Sequence, residues 1–125
     1  MKVFSISEAN DLLVEVEPKL RMIRSYYASV AIFRESSTAA AMSAELGGGG
    51  MEGGAQYVRV LYELGKLTTE LHELGVQLKD YTRGLIDFPT MREGRVVLLC
   101  WQLDEGHQIE WWHEVEDGFA GRKRL

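Results

Sequence analysis

Apolar side chains in the first third of the chain fall at alternating steps of four and three: Ala9, Leu13, Val16, Leu20, Ile23, Tyr27 and Val30. That spacing puts them on one face of a helix. Ser5 followed by Glu8 has the form of a capping box, in which the hydroxyl takes the Glu8 amide and the carboxylate reaches back. Phe4 stands just outside as a staple near Ala9. Pro18 interrupts the pattern. A proline inside a helix loses a hydrogen bond and clashes with the preceding turn, at about 3 kcal/mol or more. The pattern therefore predicts helix over about residues 5–46 in two pieces: a short one to about Val16, then a kink or restart with Pro18 near the first turn of a longer one.

A second run keeps the same rhythm: Tyr57, Val60, Leu64, Leu67, Leu71, Leu74, Leu78, Tyr81 and Leu85. It predicts a helix over about 55–83, closed by Gly84. The GGGGMEGG stretch at 47–54 separates the two seams and reads as a flexible link. It is not a phosphate loop, because no strand precedes it and no Lys-Ser/Thr closes it. Two seams joined by such a link should pack as an antiparallel helical hairpin. The leftover stripe of Val58, Leu61 and Tyr62 then needs a sheet or a second copy of the chain to cover it.

The pattern changes after Leu85. Residues 85–89 read as a short extended piece ahead of Pro89, and Arg92-Glu93-Gly94 as a turn. Residues 95–103 form an apolar run suited to a strand covered on both faces. Asp104-Glu105-Gly106-His107 reads as a hairpin turn, and 108–115 as the returning strand. That turn sets Leu98 opposite His113, Leu99 opposite Trp112, Cys100 opposite Trp111 and Trp101 opposite Glu110. One face then carries Leu98, Cys100, Trp111 and His113, and the other Leu99, Trp101 and Trp112. Residues 116–125 read as a closing tail anchored by Phe119. The fold expected is a single α+β domain: a long antiparallel helical hairpin packed against a small antiparallel β-sheet of two or three strands.

Composition narrows the function classes. The formal net charge is −5, and the basic residues form no face beyond Arg122, Lys123 and Arg124, so nucleic acid is not an expected partner. No apolar stretch reaches the length of a membrane span, and acids stand where an export signal would be apolar. A lone cysteine makes no internal disulfide, which fits a cytoplasmic location.

Candidate chemistry gathers at the predicted hairpin. Cys100 and His113 share a face, so they can act as a thiolate–imidazole pair or as two ligands of a metal. Against that, the chain has no Cys-x-x-Cys or His-x-x-x-His spacing, and a buried cysteine is commonly a small apolar residue. Asp80 and Asp87 flank the corner before the strand. Asp80 reads as a cap of that corner or a partner of Arg83. Asp87, between Ile86 and Phe88, must find a partner if buried: Arg122, Arg95 or His113, with a salt bridge to Arg122 leading. Trp101 and Trp112 complete an aromatic cluster suited to a core, a ligand platform or an interface.

Several pieces together resemble an uncharacterised bacterial family, domain of unknown function 2203. They are Phe4-Ser5 with Glu8-Ala9-Asn10 and Leu12-Leu13; Gly75 with Leu78-Lys79-Asp80, Gly84-Leu85 and Asp87-Phe88-Pro89; Leu99-Cys100-Trp101 with Ile109, Trp112 and His113; and residues 118–122. A proline usual in that family is Val14 here, and its Gly-Glu turn is Asp104-Glu105-Gly106. The resemblance implies a small cytoplasmic protein with no assigned activity and supplies no catalytic residues.

Two function classes remain. The leading one is a non-enzymatic interaction or assembly module forming a homodimer. The alternative is a small-molecule or divalent-metal protein, or a hydrolytic one, with ligand candidates Asp80, Asp87, Cys100, Trp101, Trp112, His113 and Arg122. Within that set Asp87, Cys100 and His113 are the metal candidates. No catalytic residue and no cofactor beyond such a metal is assigned.

Overall fold

The computed structural model describes residues 1–45 and 54–125, with side chains for 1–35 and 54–125. The glycine link expected at 47–54 lies outside the described residues, apart from Gly54, which opens the second helix.

Helix α1 spans Ile6–Glu45. Its capping box is complete: the Glu8 amide donates to Ser5 Oγ at 3.0 Å, and the Ser5 amide donates to Glu8 Oε1 at 2.9 Å. Phe4 and Ala9 are both buried, as the staple requires. The expected break at Pro18 does not occur, and the helix runs through it. Leu13 and Val16 before the proline and Leu20 and Ile23 after it enter the same core. Packing on both sides outweighs the local penalty, and Pro18 itself is exposed. Pro18→Ala is accordingly expected to stabilise the protein by about 2 kcal/mol, the helix penalty less what proline removes from the unfolded chain's freedom. A urea midpoint unchanged or lowered in the variant would contradict this.

Helix α2 spans Gly54–Glu73, ten residues short of the predicted end at 83. Gly75 stops it with a φ of 90°. The Gly75 amide donates to the His72 carbonyl and the Val76 amide to the Leu71 carbonyl, each at 3.0 Å. These are the two bonds of a Schellman cap, and the buried Leu71 and Val76 supply the apolar contact that accompanies it. Leu74, Leu78 and Tyr81 keep the apolar rhythm because they still pack on the same core, from loop and strand rather than from helix.

Among the described residues the sheet has five strands, not two or three. They are β1 (Gln77–Asp80), β2 (Leu85–Arg92), β3 (Arg95–Gln102), β4 (Trp111–His113) and β5 (Lys123–Arg124), paired antiparallel in chain order. The two unexpected ones are β1, read from sequence as helix, and β5, read as tail. Glu93 and Gly94 make the β2–β3 turn, both with positive φ. Pro89 sits within β2, where its carbonyl accepts from the Phe4 amide at 2.8 Å. Its missing N–H would point to that same side, so the ladder to β3 loses nothing.

The expected register of β3 against β4 is present: Leu98 opposite His113, Leu99 opposite Trp112 and Cys100 opposite Trp111. The expected tight turn is not, and Trp101 has no ladder partner at Glu110. Residues 103–110 instead form an ordered loop. Trp101 Nε1 donates to the Gly106 carbonyl at 3.2 Å, the Ile109 amide to Asn10 Oδ1 at 2.7 Å, and the Leu103 amide to the Gly84 carbonyl at 3.1 Å. Buried Leu103 and Ile109 hold both ends of the loop in the core.

Alternation divides the sheet. Ile86, Phe88, Val97, Leu99, Trp101 and Trp112 face α1 and α2 and form the main core with them. Asp87, Pro89, Leu98, Cys100, Trp111 and His113 occupy the opposite face.

A candidate metal centre

Three neighbouring strands each place one chemically active side chain on that second face. Asp87 of β2 lies directly opposite Cys100 of β3. His113 of β4 is opposite Leu98, diagonally next to Cys100. Asp87 and His113 are therefore two strands apart, roughly 10 Å of backbone separation. Their side chains lean together over the cysteine until His113 Nε2 is 3.1 Å from Asp87 Oδ2. One ligand atom from each of the three residues lies within 4.8 Å of the others. All three are buried.

The orientation of His113 is determined. Its Nδ1 is 2.7 Å from the Glu114 carbonyl oxygen, which can only accept, so Nδ1 carries a hydrogen. Nε2 then faces the carboxylate, and that contact needs a single hydrogen between the two atoms. A metal cation can stand in its place. A histidine whose other nitrogen is held by a backbone carbonyl is the usual form of a metal-ligating imidazole.

Cys100 has a thiol pushed up to about 12, first by burial and then by the charge of Asp87. Without a metal it is a neutral thiol at physiological pH. This argues against a free nucleophile, since the thiolate is the attacking form. It does not argue against a ligand, because a cation displaces the thiol proton on binding.

Around the three lie Arg122 and Phe119, both singled out from sequence, and Glu105, which was not. Arg122 forms an ion pair with Glu105 at 2.7 Å, and its guanidinium lies 4.8 Å from the Trp111 ring and 4.6 Å from the Phe119 ring. The expected salt bridge between Asp87 and Arg122 is thus replaced by two pairs, Asp87 with His113 and Arg122 with Glu105. Glu105 is held in turn by the Gln102 amide, donating at 2.8 Å. It was legible only as a turn residue, because its role depends on the ordered loop. The tail's short 3-10 helix (Phe119–Gly121) brings Phe119 beneath Arg83, 4.0 Å away.

The remaining candidates stand apart. Asp80 Oδ1 accepts from the Thr82 and Arg83 amides, at 2.9 and 3.0 Å, and caps the β1–β2 corner. Trp101 and Trp112 belong to the helix-facing core on the other side of the sheet. A grouping of all seven candidates in one site is therefore not what the fold builds. Three of them share a face, Asp87, Cys100 and His113, and Arg122 comes beside it through its contact with Trp111.

Among the described residues, the fold and this cluster define an α+β protein of two α-helices and five strands with a thiol, an imidazole and a carboxylate buried together. The family follows from the sequence: residues 2–125 match the model of the uncharacterised conserved protein family DUF2203, and the chain belongs to that family. No curated protein and no solved structure matches the chain. Among the described residues, no helix is long and apolar enough to cross a membrane.

Proposed function

We propose that this chain is a divalent transition-metal-binding protein, with Asp87, Cys100 and His113 as its ligands. The observation that carries the reading is the approach of a thiol, an imidazole and a carboxylate to within 4.8 Å of one another in a buried site. Thiolate and imidazole favour zinc and its neighbours in the first transition row over magnesium or calcium. A dication bound by one thiolate, one carboxylate and a neutral imidazole is also charge-balanced, which a buried site needs.

The test is metal content by elemental analysis and native mass spectrometry, on protein as purified and after stripping and reloading with zinc. One metal per chain and a raised melting temperature are expected. Stripped protein that takes up neither zinc nor cobalt and melts unchanged sinks the proposal.

A second reading, self-association, is supported by a different surface. Val58 and Tyr62 on α2 are 65% and 67% exposed, and Ile32 on α1 is 66% exposed. Sedimentation of the same sample decides it: a dimer surviving dilution is expected, and a monomer at every concentration rejects it.

A further inference from the structure

Two buried polar atoms of opposite kind stand without a partner on the face of the ligand cluster. Asp87 Oδ1 is an acceptor, and Arg122 Nε is a donor. Asp87 is 2% exposed, and the Arg122 side chain 10%. Native interiors seldom leave such groups unpaired, and each asks for an explanation. They belong to one cluster. Asp87 is opposite Cys100, while Arg122 stands two residues before Arg124, which pairs with Trp111 on that same face. The Cys100 thiol feels the charges of Asp87, Arg122 and Glu105 together.

We propose that a metal held by Asp87, Cys100 and His113 takes a solvent oxygen, water or hydroxide, as its fourth ligand, and that Arg122 positions it. The inference rests on the metal reading above. Three protein ligands leave one place of a tetrahedral shell to be filled. A water there spends one lone pair on the metal and the other on Arg122 Nε–H. One of its hydrogens goes to Asp87 Oδ1 while Oδ2 binds the metal. Both unpartnered atoms are then satisfied by one molecule. Such a centre exchanges its fourth ligand, unlike a structural site closed by four side chains. A small anion able to replace that oxygen is the class of ligand it would admit. Arg122 is kept in place by Glu105 from below and by Trp111 and Phe119 beside it. It touches the oxygen and not the metal, so it is a positioning residue.

The test uses the whole protein loaded with cobalt(II). In water enriched in oxygen-17, the cobalt electron paramagnetic resonance signal should broaden. Azide, the probe anion, should shift the visible absorption bands. Arg122→Lys and Arg122→Gln should still bind one cobalt per chain and should weaken azide binding by about tenfold or more, as expected for loss of a hydrogen-bonding neighbour of a metal ligand. Cobalt uptake with no broadening and no azide response overturns the solvent ligand while leaving the metal reading intact. Azide affinity equal to wild type in both variants overturns the role of Arg122. Absence of cobalt uptake overturns the metal reading and this inference with it. If the substituted chains do not fold, the isotope and azide measurements on the wild-type protein decide the solvent ligand by themselves.

Discussion

Asp87→Ala is expected to abolish metal uptake and to lower stability more in metal-loaded than in metal-free conditions. In the metal-free protein the substitution leaves His113 Nε2 facing no partner in a buried place, which costs about 1–3 kcal/mol. With metal present, the wild type gains a further term that the variant lacks. At a thousandfold excess of metal over its dissociation constant that term is about 4 kcal/mol. Asp87→Asn separates the two contributions. Its amide can donate to Nε2 and so keep the metal-free fold, while a neutral amide is a poor ligand that no longer balances the cation's charge. Asn should therefore melt near wild type without metal and gain little when metal is added. Zinc raising the melting temperature of Asp87→Ala as much as that of wild type would remove Asp87 from the ligand set.

Trp101→Ala should be the most damaging single change in the metal-free protein, at about 3–5 kcal/mol. Trp101 is fully buried in the helix-facing core, and its indole nitrogen fastens the 103–110 loop through the Gly106 carbonyl. Removing it opens a cavity and frees the loop that carries Glu105, so the Arg122 ion pair weakens with it. Small domains have only about 5–15 kcal/mol in total, so the variant should be marginal or unfolded at 37 °C. The half-buried Trp111, on the other face, gives the contrast. Trp111→Ala should cost clearly less, because Trp111 is only half-buried and one of its neighbours is the exposed guanidinium of Arg124. Equal urea midpoints for the two variants would mean that the sheet faces are not divided as described.

Much of this architecture was readable from periodicity. The α1 seam as far as Ile23 and its capping box follow from local spacing, and the structure has both. Tyr27 of the same seam is exposed, and the face shared by Cys100 and His113 is present although the tight turn it was drawn from is not. The end of α2 was misread because Leu74, Leu78 and Tyr81 extend a helical rhythm by coincidence of packing, although the single Gly75 was there to stop it. Strand β5 was not readable at all. Two basic residues with no apolar side chain acquire strand geometry only when Trp111 and Trp112 supply a ladder.

By itself the sequence determined the α+β class, the capping box of α1 and the alternation that puts Cys100 and Trp101 on opposite faces of β3. These depend on residues near one another along the chain, whose spacing is set by helix and strand geometry. Only the tertiary structure decided that Asp87 pairs with His113 rather than Arg122, and that Glu105 takes Arg122. Those choices turn on which buried charges reach each other across three strands, a loop and the tail, and no spacing along the chain encodes that distance.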